Sequence, residues 1–101
     1  MYISGGENVY PAKVEHALLA HPEVLEAAVI GVADERWGEV GRAFVVPRTT
    51  SKPDAERLRA FCRERIAAYK VPKTIQVVAE LPRTAAGKVQ KHILRSRHAG
   101  E

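Results

Sequence analysis

The chain has 101 residues, of which 46% are hydrophobic and 28% charged, with a formal net charge of +4. That length makes one domain with a single modest core, and that balance excludes a disordered chain. One cysteine, Cys62, excludes an internal disulfide, and the longest apolar run, residues 27–33, is far too short to span a bilayer.

Residues 1–6 lack the basic and apolar regions of a signal peptide, so with one free cysteine the expected location is cytoplasmic. Residues 1–10 read as a short hairpin: Tyr2-Ile3, a Ser-Gly-Gly-Glu turn, then Asn8-Val9-Tyr10. Gly5-Gly6 lets backbone amides approach another group closely. Pro11 suits the first turn of a helix, Val14, Ala17 and Leu18 follow at helical spacing, and His21-Pro22 closes it.

Residues 24–32 then form a strand, with Ala28, Ile30 and Val32 on one face and Leu25, Ala27 and Val29 on the other. Two apolar faces predict a central strand covered on both sides. Residues 34–41 read as a polar loop carrying the single tryptophan, Trp37, and residues 43–46 as a second buried strand ending at Pro47. Ser51 and Asp54 have capping-box spacing with Pro53 in the first turn. The helix they start is expected to bury Leu58, Phe61, Cys62, Ile66 and Tyr69, with Glu56, Arg57, Arg59, Arg63 and Glu64 in solvent. Cys62 lies on the apolar stripe, which makes it a core residue and not a nucleophile.

Pro72 ends the helical run and makes 69–73 a connector, and residues 74–79 alternate as a third strand. Near the end, Leu81-Pro82-Arg83-Thr84-Ala85-Ala86-Gly87-Lys88 places a turn glycine directly before a lysine. Gly87 allows a tight reversal that leaves Lys88 at a loop tip, and Val89, Ile93 and Leu94 mark a terminal helix. The first two long strands are joined without a crossover helix, which predicts an antiparallel pair. The expected fold is therefore α+β: a small three-stranded, mainly antiparallel sheet flanked by helices, with an N-terminal β-hairpin.

The net charge is unevenly placed. Residues 1–80 carry eleven Lys/Arg against eleven Asp/Glu, while residues 81–101 carry Arg83, Lys88, Lys91, Arg95 and Arg97 against Glu101 alone. Such a tail attracts phosphates, whether of a small molecule or of a nucleic acid, and a small basic nucleic-acid-binding module is one reading of it. The aromatic residues are not interleaved with the tail, and no helix-turn-helix pattern surrounds it. A phosphate-binding P-loop is excluded, since Pro82 stands where its first glycine belongs and Val89 where its Ser or Thr belongs. No metal site is expected: His16 and His21 are five apart, His92 and His98 six apart, and there is no second cysteine.

Four stretches together carry a resemblance: Ser4-Gly5-Gly6-Glu7-Asn8-Val9-Tyr10-Pro11 with Val14-Glu15, then Asp34-Glu35-Arg36-Trp37-Gly38-Glu39, then Tyr69-Lys70-Val71-Pro72, and Leu81-Pro82-Arg83-Thr84 through Gly87-Lys88-Val89. In this order and spacing they resemble the C-terminal domain of the adenylate-forming enzymes, on the acyl-CoA synthetase branch. The resemblance implies a ligase that joins a carboxylic acid to a thiol through an acyl-adenylate, using ATP, Mg²⁺ and coenzyme A. Residues 1–101 would be one C-terminal lid domain that turns on an N-terminal ATP- and acyl-binding domain, its main partner. That domain is absent here, and the chain alone is expected to lack the complete activity, with no nucleic acid or membrane partner.

The position of Lys88 matches the family's lysine for adenylate formation. Gly5, Gly6 and Glu7 match the loop that serves the thiol step, Trp37 resembles a residue flanking the thiol channel, and Tyr69 one that stacks on the coenzyme A adenine. Some relatives have a basic residue where Val71 stands, which leaves Arg36 and Lys73, with Gly87, as the nucleotide or phosphate contacts. The Tyr10-Pro11 pair favours coenzyme A ligases over adenylation domains that load a carrier protein. The acid itself is open between fatty, aryl and short-chain classes.

Overall fold

A computed structural model describes residues 1–48 and 53–98. Strands β1 (Tyr2–Ser4) and β2 (Glu7–Val9) precede helix α1 (Pro11–Leu19), followed by the long strands β3 (Val24–Asp34) and β4 (Gly38–Pro47). Helix α2 (Ala55–Arg63), strand β5 (Thr74–Val77) and helix α3 (Lys91–His98) complete the chain. The α+β class expected from the sequence holds, with the N-terminal hairpin in place.

The sheet is larger than expected. It has five strands, because the hairpin joins it through Ser4 and Gly38, giving the order β2-β1-β4-β3 with β5 also on β4. The β3–β4 pair is antiparallel, as the short connection requires. Strand β5 lies parallel to β4 over Arg42–Thr74 to Val45–Val77, with α2 as the crossover between them. The central strand is β4, not β3. Among the described residues β3 pairs only with β4, yet both its faces are covered, so its two apolar faces report layers and not neighbours.

Those layers divide the core. Val29, Ala43, Val45 and Ile75 pack under Val14 and Leu18 of α1 and Leu58 and Cys62 of α2. On the opposite face Ala28, Ile30, Phe44 and Val46 meet Leu81 and Leu94, with Val78 and Val89 against them. A fully buried aromatic such as Phe44 is worth about 3–5 kcal/mol against truncation to Ala. Leu25 departs from the expected alternation and is 47% exposed, because the register shifts between Val24 and Glu26. The bulge turns Val24 into the α1 layer and Leu25 outward.

Other local expectations are corrected by their surroundings. Ser51 lies outside the described residues, and the α2 cap is Asp54, whose side chain accepts from Glu56 N. Helix α2 buries Leu58 and Cys62, whereas Phe61 is half-buried and Tyr69, in a 3₁₀ turn at Ala68–Lys70, is exposed. The loop expected over 34–41 is shorter, since β4 begins at Gly38. Val89 is not in α3; it forms a bridge with Arg83. Cys62 is buried, and burial pushes its thiol pKa up, as a core position requires.

One packing feature seats the N-terminal hairpin. Gly31 and Gly41 face each other across β3 and β4, and the Tyr2 side chain lies over both. A Cβ on Gly31 would come within 2.6 Å of Tyr2 Cβ, and one on Gly41 would strike the Tyr2 hydroxyl. Burial, with the charge of Glu39 nearby, pushes the Tyr2 phenol up to about 12. We expect Gly31→Ala to destabilise the domain by about 1–3 kcal/mol through overpacking, measured by urea unfolding. The loss should be less than additive with Tyr2→Ala, since the second change removes the atoms that clash.

Candidate functional site

The residues singled out in the sequence fall into two groups at opposite ends of the β3–β4 ladder. At the Asp34–Gly38 end, a cleft of about 440 Å³ opens between the N-terminal hairpin and the turn after α2. Gly5, Glu7, Trp37, Tyr69 and Lys73 line it, joined by Ser4, Val40, Gly41, Arg59, Ala68 and Val71. Five residues scattered from position 5 to position 73 are thus brought to one cavity. Gly6 sits on the turn outside it, and Arg36 flanks it, its guanidinium carbon 5.0 Å from the Trp37 ring centroid.

Local chemistry explains the shape of this cleft. Gly5 and Gly6 take φ values of +57° and +84°, a primed two-residue turn that matches strand twist. Gly5 N donates to Trp37 O at 2.8 Å, and a Cβ on Gly5 would lie 2.9 Å from the indole. Glycine is therefore required there twice, by angle and by space. Asp34 closes the opposite turn: one carboxylate oxygen accepts from Arg36 N at 3.1 Å and Trp37 N at 2.9 Å. Its other oxygen accepts from Lys73 Nζ at 3.0 Å, which ties the turn to the start of β5. Arg59 Nε donates to Pro72 O at 3.0 Å and holds the connector down.

The result is two exposed aromatic faces, Trp37 and Tyr69, beside a glycine wall and the cations of Arg36, Arg59 and Lys73. Aromatic faces take flat rings, and cations take anions. Such a cleft suits an elongated ligand with a planar group and phosphates. A larger hollow of about 750 Å³ between α1 and residues 65–70 contains none of the expected site residues.

Lys88 stands elsewhere. Residues 82–90 fold into a closed hairpin in which Thr84 N donates to Lys88 O at 2.9 Å, Gly87 N to Thr84 O at 2.8 Å, and Gln90 N to Pro82 O at 2.8 Å. Lys88 N donates to Thr84 Oγ1 at 3.1 Å, and Gly87 takes φ +89° at the reversal. The Lys88 side chain is exposed and its ammonium has no partner among the described residues. The hairpin is fastened near the Val24 end of β3, where Arg83 pairs with Glu26. Asp34 lies eight residue steps beyond Glu26, roughly 25 Å of β3.

Four contributors were missed in the sequence: Asp34, Tyr2, Arg83 and Arg59, which was expected in solvent and instead lines the cleft. Asp34 had a local signal, an aspartate placed to accept from amides two and three residues on. Tyr2 and Arg83 act through contacts to residues 31, 41 and 26, which no local pattern announces. Among the described residues no group of three or more His, Cys, Asp or Glu could hold a metal ion, and no helix is long and apolar enough to cross a membrane.

Comparison with known proteins places this geometry. Residues 13–88 match the model of the AMP-binding enzyme C-terminal domain. The chain is 57% identical over 95 residues to a 2-succinylbenzoate–CoA ligase of Geobacillus kaustophilus, covering 94% of this chain and 19% of that protein. It is 53% identical over 97 residues to a feruloyl-CoA synthase of Amycolatopsis, covering 96% of this chain and 20% of that one. Among solved structures, a Mycobacterium tuberculosis fatty acyl CoA synthetase superposes with a TM-score of 0.93 at 41% identity, covering 99% of this chain and 20% of that one. The chain thus spans about a fifth of the length of the curated relatives it matches.

The Asp34 tie makes a pH-dependent prediction. The hydrogen bond from Lys73, then that from Trp37 N, holds its carboxyl below the usual 3.8. Its contribution is therefore fully present above pH 3.8 and is lost only as pH falls through the lower folded-state value. Titration of the Asp34 carboxyl carbon by NMR should give a midpoint below 3.8, and Lys73→Met should move it upward. A midpoint unmoved by Lys73→Met would show that the ion pair does not form in solution.

Proposed function

This chain belongs to the family of AMP-binding enzyme C-terminal domains, and on that premise we propose that it is the mobile lid of an ATP-dependent acyl-CoA synthetase. Its reaction would convert a carboxylic acid, ATP and coenzyme A to acyl-CoA, AMP and pyrophosphate. One observation carries this reading. An ammonium with no partner among the described residues at one end of the β3–β4 ladder and an aromatic, cationic cleft at the other belong to the same body. A centre held on a partner domain can meet only one end at a time, so a two-step reaction needs the body to turn between steps.

In the first step the acid's carboxylate attacks the α-phosphate, and negative charge crowds the oxygens of the transition state. Lys88, on its hairpin tip, would neutralise that charge without transferring a proton. In the second step the thiol must reach the adenylate along a narrow path. Gly5 and Gly6, with no side chains, would line that path, with Glu7 beside them, while Trp37 and Tyr69 offer faces to the coenzyme A nucleotide. Arg36 and Lys73 would be the cations that meet its phosphates, and Lys73 would exchange Asp34 for phosphate on binding. ATP, and the Mg²⁺ expected with it, would be held mainly by the N-terminal domain.

The competing readings have less support. Of the five basic side chains in the tail, Arg83 is paired with Glu26 and Lys91 with Glu15, and Leu94 of α3 is buried in the core. Those pairs interrupt the basic stretch that a nucleic-acid backbone would need, leaving Lys88, Arg95 and Arg97 exposed. The curated relatives named above are coenzyme A ligases, which favours coenzyme A over a carrier protein as the thiol.

In the intact ligase, Lys88→Ala should lower adenylate formation about a hundredfold or more while sparing thioester formation from supplied adenylate. Quenched-flow measurement of the two half-reactions decides this, and an equal loss in both would overturn the assignment. The 101-residue chain alone should form no acyl-CoA from acid, ATP and coenzyme A; product from the purified chain would remove the lid reading.

A further inference from the structure

We propose that Arg83 and Glu26 are positioning residues for Lys88, an inference that rests on the adenylation role proposed for that lysine. The hairpin of residues 82–90 is closed by its own backbone bonds and the Arg83–Val89 bridge. Those bonds fix its internal shape, and Leu81 and Val89 seat it against the core layer of the sheet. The guanidinium of Arg83 links the sheet to the hairpin tip. One arm, Nη2, pairs with the Glu26 carboxylate on β3, and the other, Nη1, donates to Gly87 O at 2.7 Å. Gly87 directly precedes Lys88 and holds the left-handed φ of +89° at the turn. A single planar group therefore spans from the sheet to the peptide that carries the reactive ammonium.

The second stem is tied in the same way. Lys91 Nζ lies 2.7 Å from Glu15 Oε2, which also accepts from Val29 N at 2.8 Å, so α1, β3 and the start of α3 meet at one carboxylate oxygen. The lysine tip is held from both sides by carboxylates of the rigid body. Only the Arg83 tie, however, uses both arms of a fork, and only it touches the residue next to Lys88. A lysine at position 83 would keep the charge but could not hold two acceptors in that fixed plane.

The experiment uses the intact ligase with three variants: Arg83→Lys, the exchange Arg83→Glu with Glu26→Arg, and Lys88→Ala as reference. Adenylate formation in the first two should fall about ten- to a hundredfold, the cost of a small misplacement of a charged group. Thioester formation from supplied adenylate, read on the same samples, should stay at the parent level and reports that each variant is folded. The exchange rebuilds an ion pair between β3 and the hairpin, but a carboxylate at position 83 cannot donate to Gly87 O. Adenylation should therefore stay low. Recovery in the exchanged variant would reduce the pair to a structural tie and overturn the proposal, as would equal losses in both half-reactions. If Lys88→Ala itself leaves adenylation intact, the reading of Lys88 fails instead, whatever Arg83 does.

Discussion

The ladder between β3 and β4 is paired from Val24–Pro47 to Asp34–Gly38, and the other elements are placed by reference to it. The first helix and α2 cover one face, α3 and the Leu81 segment cover the other, and β1 and β5 share the free edge of β4. A two-stranded ribbon of this length would twist and flex alone. Covered on both faces by apolar layers, it becomes a beam. What sits at its two ends is then held at a fixed separation, and any change in which end faces a partner must move the whole body.

That constraint decides how the hairpin of residues 82–90 is understood. A glycine before a lysine at a loop tip can serve either as a tight reversal or as a hinge. In the fold the glycine serves a reversal and not a hinge: its φ of +89° is locked by its amide to Thr84 O and by Arg83 to its carbonyl. None of these ties is strong singly, since a half-exposed ion pair contributes at most about 1 kcal/mol. Their effect is geometric. Several weak restraints from different elements leave the hairpin one orientation on the sheet.

Much of the fold was legible because its signals are local. Two adjacent glycines between short apolar runs announced the first hairpin, Pro11 and the spacing of Val14, Ala17 and Leu18 announced α1, and His21-Pro22 ended it. The five-stranded sheet was not legible, because the Ser4–Gly38 pairing and the parallel seat of β5 depend on where α2 returns the chain. The Val24 bulge was equally hidden, since Leu25 fits the alternation perfectly and only the ladder shows that it turns outward. Of the cleft, the aromatic and glycine residues could be chosen from their motifs. The Asp34–Lys73 tie spans 39 positions and could not.

The same distinction explains the charge of the tail. Counted along the sequence, residues 81–101 look like a continuous cationic stretch. In three dimensions Arg83 and Lys91, which flank Lys88, are each answered by a carboxylate from β3 or α1, while Lys88 between them has none among the described residues. Pairing its neighbours removes two competing cations from the ground immediately around the tip, so an anion approaching the hairpin meets the Lys88 ammonium first, with Arg95 and Arg97 further along α3. The apparent excess of charge therefore has a local meaning. Two of the eleven acidic residues in the first eighty positions, Glu15 and Glu26, are not merely solvating groups, because they pair with the cations that flank Lys88 some sixty to seventy positions later.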